Sequence, residues 1–154
     1  MSGSQELTIK STFAAPRPRV FEAWSSPEVL LRWWGAGPDW TSPAVEIDLR
    51  PGGRYRLSMT VPGAGAVYTV VGECIEVAPP ERLVYTWVWE TPGSPTGDLT
   101  TLVTVEFREA PGDRTTVILT HTGFDDTDQR DRHDEGWRAC LANLATRVFP
   151  LEAS

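Results

Sequence analysis

The sequence predicts an α+β fold: one curved antiparallel β-sheet, two short helices near the N-terminus, and a long C-terminal helix packed across the sheet. Three observations point there. Two apolar, tryptophan-bearing segments at helical spacing, Val20 to Trp34 and Trp137 to Phe149, stand near opposite ends of the 154 residues. About eighty residues between them alternate with the two-residue period of a strand and are broken by Pro- and Gly-rich turns. The links between those strands after residue 50 are too short for parallel crossovers, which forces antiparallel neighbours. The helices have apolar faces to bury, and the sheet is the surface available to them. A curved sheet with large aromatics on its covered face encloses a pocket as well as a core.

Leu7 to Phe13 alternates, with Leu7, Ile9 and Phe13 on one side, and stops at Ala14-Ala15-Pro16. Pro16 and Pro18 suit the first turn of a helix over about residues 16–24, where Val20, Phe21 and Trp24 form the apolar stripe. Ser25 or Ser26 caps a second helix, with Pro27 in its first turn and Glu28 completing a capping box, and this helix ends at Gly35. Trp33 and Trp34 adjoin on it and so cannot both point inward. One is expected in the core, the other as a lid under Thr41 to Ala44 or facing a pocket mouth or partner.

The strands begin with Val45-Ile47-Leu49. Pro51-Gly52-Gly53 turns the chain into Arg54 to Val61, with Tyr55, Leu57, Met59 and Val61 on one face and Arg54, Arg56, Ser58 and Thr60 on the other. Pro62 to Gly65 makes the next turn, into Ala66 to Val77, whose faces are both apolar, so its inward parity stays open. Pro79-Pro80-Glu81-Arg82 leads to Leu83 to Glu90, with Leu83, Tyr85, Trp87 and Trp89 on one side. Thr91 to Asp98 is expected as the longest exposed loop. Val103, Val105 and Phe107 alternate next, Ala110 to Asp113 is a tight link, and Val117, Leu119 and His121 mark the last strand. Asp125 to Asp128 places carboxylates at the start of a helix over about residues 128–148, where they suit the free N–H groups and the dipole. His133, Trp137, Cys140, Leu141, Leu144 and Val148 share one side of it. Gly136, inside that helix, costs about 1 kcal/mol relative to Ala, which points to close approach to the sheet or to a ligand.

Composition narrows the function. Fourteen basic against 21 acidic side chains give a net charge of −7, which disfavours nucleic acid and anionic membrane as partners. No stretch has the length and apolarity of a signal peptide or a spanning helix, so one cytoplasmic domain over residues 1–154, with its core at about 7–149, is expected. Cys74 and Cys140 lack ligand or redox spacing and read as reduced, buried thiols. The acidic stretch Asp125 to Glu135 lacks the Gly and terminal Glu of a calcium loop. No metal or cofactor is expected, and no Ser, Cys or Thr stands in a nucleophile-elbow pattern.

The pocket is assigned to a hydrophobic small molecule. Tyr55, Met59, Tyr85, Trp87, Trp89 and Phe107 line it from the sheet, Trp33 and Trp34 from the second helix, Trp137 and Leu141 from the last helix, and His121 from a strand end. His121 is the candidate acid/base, against the plainer reading of a histidine near the rim bonded to backbone or a carboxylate. His133, four residues before Trp137, is placed where it could pair with it.

Taken together, Val20-Phe21-Glu22-Ala23-Trp24, Pro27-Glu28, Arg32-Trp33-Trp34-Gly35, Pro51-Gly52-Gly53-Arg54-Tyr55, Pro79 to Trp87, Thr120 to Phe124, Gly136-Trp137 and Leu141-Ala142-Asn143-Leu144 carry a family resemblance. The chain resembles the activator of heat-shock protein 90 ATPase homologue-like family, within the START/Bet v 1-like (SRPBCC) superfamily of helix-grip folds. The resemblance implies a space between sheet and long helix that holds apolar molecules, as superfamily members do. It also implies an alternative, a cavity-based cyclase, dehydratase or hydrolase acting on a small apolar substrate, for which His121, with Tyr55 or Tyr85, would serve as acid/base. A further alternative is an interaction module, in which an exposed Trp33 or Trp34 and the acidic start of the last helix dock a chaperone or a second copy in a homodimer.

Overall fold

The computed structural model describes residues 5–61, 63, 66–90 and 99–149. In chain order the elements are β1 (Gln5–Phe13), α1 (Arg17–Ser25), α2 (Pro27–Trp33), β2 (Val45–Ile47), β3 (Arg54–Thr60), β4 (Val67–Ala78), β5 (Arg82–Trp89), β6 (Thr101–Ala110), β7 (Arg114–Phe124) and α3 (Thr127–Arg147). All seven strands pair antiparallel in one sheet, ordered β1-β7-β6-β5-β4-β3-β2. The three helices cover its concave face, and the core lies between. The loop expected at Thr91 to Asp98, and most of the turn at Pro62 to Gly65, lie outside the described residues.

The parity of β4 was unreadable because it changes along the strand. Val70 and Cys74 point into the core, opposite Trp89 and Tyr85, but the register slips between Cys74 and Glu76. After that bulge Val77 packs inward opposite Leu83, and Ile75 is left exposed. Gly72 sits at an inward position where a Cβ would lie 2.0 Å from the Thr86 carbonyl and 2.7 Å from the Tyr55 ring. Only glycine allows Tyr55 to lie across the strand there and donate its hydroxyl to Thr86 O.

Two expectations about the N-terminal helices are corrected. The capping box does not form: Ser26 is the N-cap of α2 but its side chain makes no cap bond. Ser25 is the last residue of α1, and its hydroxyl bonds back to Phe21 O at 3.0 Å. Trp33 and Trp34 both point inward, at 0% and 1% exposure. They do so because α2 stops at Trp33 and Trp34 takes an extended conformation (φ −68°, ψ 112°), so its side chain escapes the helical advance of about 100° per residue. Trp33 fills the angle between α1 and α2 and donates its indole N–H to Ala23 O at 2.9 Å.

The start of α3 follows expectation: Asp126 is the N-cap and accepts from Gln129 N at 2.8 Å. Its buried side is joined by a residue the apolar pattern did not mark. Asn143 donates from Nδ2 to Gly35 O (3.0 Å) and Gly37 O (2.8 Å), strapping the segment after α2 to α3. Arg147, donating to Pro38 O, and Arg32, donating to Arg147 O, close the same seam from outside. Replacing Asn143 by Ala strands two buried carbonyls; a loss of about 2 kcal/mol is expected, lowering Tm by about 4–8 °C in thermal unfolding. A Tm within 1 °C or so of the parent would show that the strap bears no load.

Candidate functional site

The strap positions Trp40 at one edge of a cavity of about 290 Å³. Its wall is built from three directions. Met59, Tyr68, Trp87 and Trp89 come from the concave face of β3, β4 and β5; Trp34, Ala36 and Trp40 from the segment after α2; and Arg132, His133, Gly136, Trp137 and Cys140 from α3. A Cβ on Gly136 would meet no atom within 4 Å, so this glycine does not allow closer helix–sheet contact. It opens space on the cavity side of α3.

Of the side chains assigned to a ligand site from sequence, Trp34, Met59, Trp87, Trp89 and Trp137 line this cavity. Trp33 lies behind Trp34 under α1. Phe107 packs edge-on against Phe21 and Trp24. Leu141 faces β1 beside Ile9 and Phe13. Tyr55 and Tyr85 meet edge-to-face at 5.2 Å around a small recess of about 20 Å³. Tyr68, Trp40 and Gly136 were not assigned to it. The bulge hid the parity of β4, Trp40 lies in a loop without periodicity, and only the helix cost of Gly136 marked that position.

His121 is not at the rim. It is fully buried and, among the described residues, bonds neither to a carboxylate nor to backbone. Trp137 donates its indole N–H to His121 Nδ1 at 3.0 Å. An indole nitrogen only donates, so Nδ1 is unprotonated and the ring proton sits on Nε2, 2.7 Å from Thr101 Oγ1. The Thr101 hydroxyl passes the chain on to Trp87 O at 3.3 Å.

His133 has the opposite tautomer for the same reason. Trp89 donates to its Nε2 at 2.9 Å, so Nδ1 carries the proton and donates to Gln129 O at 2.8 Å. The two imidazoles stand 5.3 Å apart, edge to face and not hydrogen-bonded to each other, with the Phe124 ring against both.

Burial, and to a lesser degree His133, hold His121 well below the usual histidine pKa. Burial also lowers His133, against the opposing pull of its bond to Gln129 O. Burial pushes the Cys140 thiol up to about 12 and raises both Tyr55 and Tyr85. Among the described residues no three His, Cys, Asp or Glu side chains gather as a metal site, and both cysteines are free and buried. No described helix is long and apolar enough to cross a membrane.

A curved seven-stranded sheet closed by a long helix, with an aromatic cavity between them, defines a helix-grip protein of the SRPBCC superfamily. Within it, the chain belongs to the activator of Hsp90 ATPase homolog 1-like protein family, which its residues 14–148 match. Solved structures share the fold. An AHSA1 protein from Silicibacter pomeroyi is 28% identical (TM-score 0.78; 92% of this chain, 96% of that one). A protein from Chromobacterium violaceum is 22% identical (TM-score 0.81; 94% and 98%), and an HSP90 activator from Plasmodium falciparum 22% (TM-score 0.69; 92% and 94%). No curated protein matches the sequence.

The histidine tautomers set a pH dependence. In the unfolded chain each histidine protonates near about 6.5; folded, each is held neutral to lower pH. The stability they contribute is therefore complete above about pH 6.5 and falls as pH drops toward the lowered folded values, by up to about 1.4 kcal/mol per pH unit for each. Thermal unfolding from about pH 7.5 to 5 is expected to show Tm falling below about 6.5. His133→Gln, which keeps an acceptor for Trp89, is expected to flatten that slope by about half. A level Tm in the parent protein would contradict the neutral pair.

Proposed function

We propose that this protein binds a hydrophobic small molecule in the cavity between its sheet and α3. The observation that carries the reading is the wall itself: five tryptophans, Met59 and Tyr68 surround about 290 Å³ into which Gly136 projects no side chain. That is about twice the 150 Å³ that holds a benzene molecule in an engineered apolar cavity. Large aromatics with few polar groups are the usual lining of a small-molecule site.

Binding is favoured over turnover because both nitrogens of each histidine are engaged and the nearby thiol and phenols are held protonated. The interaction-module reading draws on an exposed Trp33 or Trp34 and on the acidic start of the last helix; both tryptophans are buried, while Asp125, Asp126 and Asp128 are exposed. Among the described residues the large apolar side chains that are exposed, Leu31, Val67, Ile75 and Leu102, belong to three different elements.

Native mass spectrometry of the protein as purified from cells, followed by titration with naphthalene, tests the proposal. One naphthalene per chain, with a change in tryptophan emission, is the expected result. Gly136→Leu, which grows a side chain into the cavity from a helical position, is expected to weaken that binding about tenfold or more without unfolding the protein. Gly136→Ala removes the glycine penalty and is expected to stabilise by up to about 1 kcal/mol, raising Tm by about 2–4 °C. Unchanged naphthalene binding in Gly136→Leu would place any site elsewhere.

A further inference from the structure

One titratable contact closes the wall of the cavity. Trp89 comes from β5 and His133 from α3, both line the cavity, and the Trp89 indole N–H meets His133 Nε2 at 2.9 Å. That bond joins sheet to helix. It exists only while Nε2 is unprotonated, because an indole nitrogen donates and never accepts.

The other imidazole nitrogen offers no way around this. Nδ1 lies 2.8 Å from Gln129 O and carries the ring proton there, so a second proton can enter only at Nε2. It sets two N–H groups against each other across 2.9 Å. Either the indole or the imidazole then has to leave its place, and both are wall.

The surroundings supply nothing to hold a cation. His133 is only 5% exposed. From β7 it faces the Phe124 ring and His121, the latter with its ring centroid 5.3 Å away, so a charge on either imidazole opposes a charge on the other. The helix itself brings Cys140, a buried neutral thiol, and Arg132, already paired with Asp128 at 3.2 Å. β4 brings the phenol of Tyr68. β3, β5 and the segment after α2 present no titratable group to the cavity, and no carboxylate lines it among the described residues. An imidazolium in this wall is left to water for its stabilisation, and an apolar ligand takes that water's place.

We infer that a proton and an apolar ligand compete for this cavity: His133 neutral and accepting from Trp89 is the binding state, and protonated His133 opens the wall and releases the ligand. This rests on reading the cavity as a ligand site. It gives that site a regulation, in which the molecule is held at neutral pH and let go in acid. Linkage makes the effect reciprocal: the factor that a proton takes from ligand affinity is the factor that the ligand takes from the proton affinity of His133.

Naphthalene has no titratable group, so any pH dependence of its binding belongs to the protein. It is titrated into the full chain, well below the Tm, from about pH 7.5 to about 4.5, with circular dichroism checking at each pH that the chain is folded. Its affinity is expected to stay level down to about pH 6.5 and to be about threefold weaker or more at the acid end. The chain has two histidines, so the ring signals of both can be followed by NMR and assigned through their own backbones. Saturating naphthalene is expected to move the titration of His133 to lower pH by about 0.5 unit or more.

His133→Gln keeps an acceptor for Trp89 but takes up no proton. Whatever its affinity at neutral pH, that affinity is expected to vary by less than about twofold over the same range. A level naphthalene affinity in the parent protein, or a His133 titration unmoved by saturating naphthalene, overturns the inference. A His133→Gln variant that keeps the parent's slope also overturns it, since the proton would then act elsewhere, as at His121. Because the titration is read in the parent protein, the result stands even if the variant does not fold. If naphthalene does not bind at about pH 7.5, the ligand-site reading itself fails.

Discussion

A buried indole N–H must find an acceptor, and it has no second way to bond. The structure meets that constraint twice where α3 crosses the sheet, in opposite directions. The sheet gives Trp89 to His133 of the helix, and the helix gives Trp137 to His121 of the sheet. Each imidazole has one nitrogen left, which must donate, and each finds an acceptor, in Gln129 O or the Thr101 hydroxyl. The helix position, the two tautomers and the neutrality of both histidines are thus a single arrangement. Protonating either imidazole replaces an acceptor with a second donor and sets N–H against N–H.

That crossing leaves room beside it. Trp34 stands where the parts meet, touching Trp33 behind it, Trp87 on the sheet and Trp137 on the helix. Its place depends on α2 ending one residue earlier, and the segment that follows is held to α3 by Asn143. Polar bonds therefore fix the edges of the space, and aromatic surfaces with a glycine gap fill its wall. Burying both tryptophans of the Trp33-Trp34 pair makes them part of the core.

Most of the fold was legible because its signals are local and redundant. Leu83, Tyr85 and Trp87 alternate without interruption, and all three are buried; short Pro- and Gly-bearing links left antiparallel pairing as the sole option. The site was less legible because its determinants are exceptions to periodicity. The bulge after Cys74 swaps the faces of β4 and so conceals Tyr68. The extended conformation of Trp34 breaks a helical expectation that was sound for the residues before it. Alternation puts His121 on the inward face of its strand, but its partners Thr101 and Trp137 lie 20 and 16 residues away. Asn143 looks like a polar residue on an apolar face until the carbonyls of Gly35 and Gly37 are set beside it.

The tryptophans also form one optical unit. Six of the seven, Trp24, Trp33, Trp34, Trp87, Trp89 and Trp137, run in an unbroken series with ring centroids 4.9–5.9 Å apart. At such spacing excitation passes between neighbouring indoles faster than it is emitted, so light absorbed under α1 is radiated by whichever ring in the series has the lowest excited state. Two of those rings are bonded to imidazoles, whose cationic form draws charge from an excited indole far better than the neutral form does. The emission of the whole series therefore responds to what happens beside Trp89, its half-buried member at the cavity.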